Sequence, residues 1–127
     1  MMAVTPHDLV LEAKSQITEV STAESQTMLG ERTVIDVREY DEFAAGHLPG
    51  AINIPRGILE FKIGMVPECA NKDAAFLIYC RTSGRAALSA VQLKKIGYGN
   101  VISMAGGFEA WNNEGRPTEK PQPINFE

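Results

Sequence analysis

The chain has 127 residues, 44% of them hydrophobic and 22% charged, with a formal net charge of −4. That length gives one domain able to bury about two-thirds of its unfolded surface. The acidic balance argues against nucleic acid or an anionic membrane surface as partner, and no apolar run of about 18 residues offers a membrane span.

The first predicted element is a helix with Thr5 as cap, Pro6 in its first position, and Leu9, Val10 and Ala13 as its apolar face. The same stretch holds Pro6, His7 and Asp8 where a secretory leader needs an apolar core, so the expected setting is the reducing cytoplasm. Ile17 to Val20 predicts a short edge strand. Ser21-Thr22-Ala23-Glu24 fits a capping box opening a helix to about Leu29, stopped by Gly30. Thr33 to Val37 reads as a buried strand running into Arg38-Glu39, and Tyr40 to Ala45 as a short helix closed by Gly46.

After a turn at His47-Leu48-Pro49-Gly50 comes a second short strand, Ala51 to Ile54, and Pro55 opens a helical segment near Ile58 to Ile63. Val66 to Asp73 reads as polar connecting chain. Phe76 to Tyr79 is a continuous apolar run, as a strand covered on both faces requires. A polar loop opens at Cys80. From Ser83 or Gly84 the pattern turns helical, with Ala86, Ala87, Ala90, Val91 and Leu93 at three- and four-residue spacing and Gly97 at the C-terminal cap position. Asn100 to Met104 predicts the last strand, and Gly106-Gly107 leads into a helix carrying Phe108, Ala110 and Trp111. From Arg116 there are three prolines in eight residues, which predicts an extended or loosely packed tail; the domain is drawn as 1–117 and the tail as 118–127.

Strands alternating with short helices predict an α/β fold with a mostly parallel central sheet and helices on both faces. Ligands of such sheets bind beyond the carboxyl ends of the strands. Asp36-Val37-Arg38, Cys80 and Met104-Ala105-Gly106-Gly107 all fall at predicted strand ends, so they are expected to line one crevice.

Cys80 carries the chemistry. A cysteine between a strand end and a helix start faces the positive end of the helix dipole, and the amides of residues 81 to 85 lack partners inside the helix. Arg81 and Arg85 add two cations on an otherwise acidic protein. Such a setting favours the thiolate and hence a nucleophile, and the same cradle suits a small oxyanion such as thiosulfate, sulfate or phosphate. Thr82, Ser83 and Gly84 contribute mainly backbone N–H groups, with Gly84 relieving steric strain in the turn. Arg85 closes the loop, its planar fork matched either to a pair of anion oxygens or to a neighbouring carboxylate. Arg81 projects to the rim, where it steers a donor or faces solvent.

Asp36 and Arg38 are read as structural: Asp36 fixing loop amides, Arg38 pairing with Asp36, Glu39 or Glu42. His47 belongs to a turn motif rather than to a general base. Cys69, in the polar connector, is a candidate resolving thiol; Met104 and Phe61 are candidate pocket walls, and Phe108 and Trp111 core residues.

Taken together the chain resembles a single-domain rhodanese, a sulfurtransferase family, over roughly Val4 to Pro117. The resemblance rests on Val34-Ile35-Asp36-Val37-Arg38-Glu39 with Glu42-Phe43, on Gly46-His47-Leu48-Pro49-Gly50-Ala51-Ile52-Asn53-Ile54-Pro55, and on Tyr79-Cys80-Arg81-Thr82-Ser83-Gly84-Arg85. Gly97-Tyr98 with Asn100-Val101, and Gly106-Gly107-Phe108 with Ala110-Trp111, complete it. It implies a small rhodanese-like fold and a Cys80 that takes a sulfane sulfur from a thiosulfate-like donor and passes it, as a persulfide, to a thiol, cyanide or a protein acceptor. It implies no metal and no organic cofactor. In this family the sulfurtransferase loop spans six residues, here Cys80 to Arg85, whereas related phosphatases have one more. A non-catalytic anion- or partner-binding module and a Cys-dependent phosphatase are the alternatives.

Overall fold

The computed structural model describes residues 3–122. Within them six α-helices and five strands alternate: α1 Pro6–Lys14, β1 Thr18–Val20, α2 Thr22–Thr27, β2 Thr33–Asp36, α3 Tyr40–Ala45, β3 Ile52–Asn53, α4 Leu59–Lys62, β4 Phe76–Tyr79, α5 Gly84–Lys95, β5 Val101–Met104 and α6 Gly107–Asn113. Local chemistry starts the first helices as the sequence predicts. Thr5 and Asp8 exchange side-chain and backbone bonds around the N-terminus of α1, and Ser21 and Glu24 do the same for α2.

The strands form one parallel sheet in the order β1-β5-β4-β2-β3. All four residues of β4, the central strand, are buried. Ile78 and then Cys80 face α5, among Ala86, Ala90, Leu93, Leu59 and Ile63. Leu77 and Tyr79 face the opposite layer, with Leu48, Met104 and Trp111. The small residues of α5 let it lie close on β4, and α1 covers it in turn, Ala13 against Ala87 and Val91. From β2 the chain moves outward to β3, and from β4 outward to β5 on the other side. The reversal between β2 and β4 opens a crevice at their carboxyl ends, where Asp36, Arg38 and Cys80 stand.

One segment differs from expectation, and one open alternative is decided. Val66 to Asp73 is not simply polar connector: Ile63–Met65 and Pro67–Cys69 are tight 3₁₀ turns that bury Ile63 and Cys69, and the Tyr98 hydroxyl donates to the Cys69 carbonyl at 2.9 Å. Val66 and Cys69, three apart, supply the apolar side that such a turn presents to the core. Of the two forms expected beyond Arg116 the chain takes the extended one, and as far as Glu119 it is docked on the domain. The buried Trp111 needs an acceptor for its indole N–H and finds it in Pro117 O at 2.7 Å. His47 and Glu119 then exchange two backbone bonds of 2.8 Å. Residues 123–127 of the predicted tail lie outside the described residues.

Candidate active site

The loop after β4 is anchored from below by α6. The amides of Phe108 and Glu109 donate to the carbonyls of Cys80 and Arg81, at 2.8 and 2.9 Å. In a trans peptide the carbonyl and the following N–H point in opposite directions, so these two anchors turn the amides of Arg81 and Thr82 away from α6. Gly107 makes the close approach possible. Its φ of +59° lies in the left-handed region, and a Cβ there would come within 2.2 Å of Thr82 O and 2.5 Å of Arg81 O.

Among the described residues no acceptor takes the amides of Arg81, Thr82, Ser83, Gly84 or Arg85. The next amide, that of Ala86, donates to Cys80 Sγ at 3.3 Å. The bond to sulfur thus comes from one residue beyond the five expected to supply it. Cys80 is only 1% exposed, so access to the sulfur is narrow.

The two loop arginines differ in kind. Arg81 is on the rim as expected, its side chain 70% exposed, with its Nε a loose 3.6 Å from Glu109. Arg85 does not present its fork to the loop. Both of its terminal nitrogens donate to the Glu42 carboxylate, at 2.8 and 3.0 Å. The carboxylate satisfies both arms of the guanidinium at once, which a bound anion would otherwise do. These bonds hold Glu42 down to about 2 and raise Arg85, to which the charges of Cys80 and Asp36 also contribute. Gly84 is not in the left-handed region; its constraint is proximity, since a Cβ would press on Val10 Cγ2 at 3.3 Å.

Asp36 and Arg38 form the buried strut of the crevice. Arg38 donates to both Asp36 oxygens at 2.7 to 3.1 Å and to Gly46 O at 2.7 Å, and its guanidinium stacks 4.3 Å from the Phe108 ring centroid. Burial works against its charge, but the Asp36 bonds outweigh it and the Arg38 pKa rises. The Tyr79 hydroxyl donates to Asp36 Oδ2 at 2.7 Å and accepts from Leu48 N at 3.1 Å. Burial pushes that hydroxyl far up, so it stays protonated. Of the carboxylates offered to Arg38 by the sequence, Asp36 takes it and Glu42 goes to Arg85.

His47 is buried, stacks on Phe43 at 3.9 Å between ring centroids, and directs Nδ1 to Leu48 O at 2.8 Å. Only a protonated Nδ1 can donate to that carbonyl, so this face of the ring is occupied structurally. Cys69 is fully buried, and burial followed by the Glu68 charge pushes its thiol up to about 11. Both the burial and the raised value disfavour the thiolate that a resolving nucleophile requires. Phe61 is 82% exposed, and Met104 is buried in the layer of α6, away from the face on which Cys80 packs. Gly107 was expected only as part of the crevice lining, and Glu42 and Glu109 were not among the expected site residues. The Gly106-Gly107 pair was the visible trace of the first close approach, whereas nothing local marks Glu42 as the partner of a residue 43 positions away.

Among the described residues no group of three His, Cys, Asp or Glu side chains is placed to hold a metal ion, and no helix is long and apolar enough to cross a membrane.

Comparison with known proteins agrees with this geometry. A sulfurtransferase of Allochromatium vinosum is 32% identical over 89 residues, covering 70% of this chain and 79% of its own length. The match spans a smaller share of some other curated relatives, 61% and 42% of the length of two of them. A solved Rhodopseudomonas palustris protein, described as of unknown function and a possible tyrosine phosphatase, superposes with a TM-score of 0.82 at 29% identity, over 94% of this chain and 97% of that one. A human single-domain sulfurtransferase gives 0.70 at 28% identity, over 76% and 96%. Residues 21–114 match the Rhodanese-like domain family. With the parallel sheet, the cysteine loop at its carboxyl edge and sulfurtransferases among its relatives, the chain belongs to the rhodanese-like domain family.

Proposed function

We propose that this protein is a sulfurtransferase that carries a sulfane sulfur on Cys80, in a reducing compartment such as the cytoplasm. The observation that carries the reading is the pairing of one nearly covered sulfur, contacted by the Ala86 amide, with five consecutive loop amides that have no acceptor among the described residues.

The Cys80 thiolate attacks the terminal sulfur of the donor. With thiosulfate the S–S bond breaks and sulfite leaves with the bonding pair, so a persulfide on Cys80 replaces the thiolate and total charge is conserved. The amides of Arg81, Thr82, Ser83, Gly84 and Arg85 then stabilise the persulfide anion, as fixed dipoles do for charge that develops in place. In the second step cyanide, a thiol or a protein cysteine takes the outer sulfur and returns Cys80 to its thiolate. Arg81 orients the donor at the rim, and Asp36 and Arg38 hold the crevice. A doubly charged phosphate ester would need the Arg85 fork that Glu42 occupies, and its bulk does not suit a sulfur that is 1% exposed.

The test is turnover of thiosulfate and cyanide. Thiocyanate is expected with parallel double-reciprocal lines, as a two-step covalent carrier requires, and none from Cys80→Ser. A folded protein that forms neither thiocyanate nor a transferred sulfur on any thiol would overturn the reading.

A further inference from the structure

A groove of about 410 Å³ lies beside the cysteine loop, between α3 and α6. Its walls include Arg38, Glu42, Arg81, Glu109, Asn112 and Asn113. The size falls in the range of small-molecule clefts, roughly 300–1,000 Å³, and far exceeds what a five-atom anion needs. Its charges are matched one to one. Arg38 is held by Asp36, Arg85 by Glu42, and Arg81 stands against Glu109. The arginines therefore present no net positive field to a compact dianion.

The three pairs are not equally closed. Arg38–Asp36 and Arg85–Glu42 are bonded at 2.7 to 3.1 Å. The Arg81–Glu109 contact, at 3.6 Å with side chains 70% and 54% exposed, is beyond hydrogen-bond length. Both of these groups keep their donors and acceptors for a ligand, and both belong to the part of the groove wall tied to the cysteine loop: Arg81 follows Cys80 in sequence, and Glu109 N is bonded to Arg81 O. A ligand that satisfies both signs at once carries a carboxylate for Arg81 and an ammonium for Glu109.

We infer that the preferred sulfur donor is a zwitterionic organic persulfide of amino-acid size, its carbon skeleton lying between α3 and α6, rather than thiosulfate. The inference rests on the sulfurtransferase reading above and names its substrate class. The step balances without an external oxidant. The Cys80 thiolate displaces the thiolate RS⁻ from R–S–SH, the Sγ–S bond forming as the donor S–S bond breaks. The proton stays on the transferred sulfur, and the departing thiolate keeps the bonding pair. A persulfide tip is one atom wide, which is what a nearly covered sulfur admits.

The experiment measures loading of Cys80 under single-turnover conditions, by intact mass, with three donors: cysteine persulfide, the persulfide of 3-mercaptopropionate, which lacks the ammonium, and thiosulfate. Cysteine persulfide is expected to load roughly tenfold faster than thiosulfate and roughly fivefold faster than the mercaptopropionate persulfide, the scale of one or two half-exposed charge contacts. Glu109→Gln should abolish the preference between the two organic persulfides. Glu42→Gln should release Arg85 and raise the thiosulfate rate roughly fivefold. Because Glu109 is a surface residue, its variant keeps the test open if Glu42→Gln folds poorly. Thiosulfate loading as fast as cysteine persulfide, or a donor ratio unmoved by Glu109→Gln, overturns the inference and leaves sulfur transfer standing. Failure of every donor to load Cys80 overturns both.

Discussion

Glu42 grips the Arg85 guanidinium with both carboxylate oxygens, and the consequence is measurable as acid sensitivity. Its carboxyl is held at about 2 against an ordinary 4.5, a depressed value, so the folded state binds this proton less readily than the unfolded one. The contribution is complete above about pH 4.5 and is lost as pH falls toward about 2. Thermal unfolding of the protein and of Glu42→Gln should therefore differ by a constant amount above about pH 4.5 and converge below it; a difference independent of pH would contradict the linkage. Cys69 gives a second expectation. Buried, with its thiol pushed up to about 11, it is expected to take no part in transfer: Cys69→Ala should load sulfur at an unchanged rate, with some loss of stability from the vacated volume. At this scale the sequence is clear about Cys80 and about Asp36 with Arg38, because neighbours in a motif are neighbours in space. It is silent on which carboxylate meets Arg85, since that depends on how α3 docks against the start of α5.

The cysteine loop owes its shape to α6 as much as to its own residues. Two amides at the start of α6 hold the carbonyls of Cys80 and Arg81, and Gly107 leaves no space for a Cβ against that backbone. Gly107→Ala should force the loop off α6, costing about 1–3 kcal/mol of stability and reducing sulfur transfer at least tenfold, since a misplaced cradle loses most of its electrostatic effect. Gly50→Ala, also at positive φ but with open space around it, is the control for backbone strain alone and should retain transfer. Equal losses in the two variants would contradict a specific role for the α6 contact. Element order, the capping boxes and the buried β4 are legible in the sequence because each rests on a local pattern. The packed turn around Cys69 and the docked chain at Glu119 are not, because both depend on partners brought together only by the fold, Tyr98 for one and His47 for the other.

Across the whole molecule the charge distribution separates two views of how a donor arrives. The protein carries a formal charge of −4, and the arginines around the loop are each matched by a carboxylate. A dianionic donor thus approaches against a weak repulsion that salt screens, the Debye length shrinking from about 30 Å at 0.01 M to about 8 Å at 0.15 M. Raising ionic strength over that interval should increase the second-order rate of thiosulfate attack at Cys80 roughly twofold and leave alkylation by neutral iodoacetamide unchanged. A falling thiosulfate rate would reveal an unmatched positive field. The sheet order and its reversal between β2 and β4 explain why the site sits where it does; the α/β pattern predicts a crevice beyond the strand ends but not that order. The charge matching does not, because composition gives totals and only the fold assigns partners.

The most direct measurement is the mass of the intact protein after brief exposure to a sulfane donor. A gain of one sulfur atom, about 32 mass units and removable by a thiol, is expected on Cys80 and absent from Cys80→Ser. A folded protein that gains no sulfur from either thiosulfate or a persulfide, or that gains it equally without Cys80, would contradict sulfur transfer through this loop.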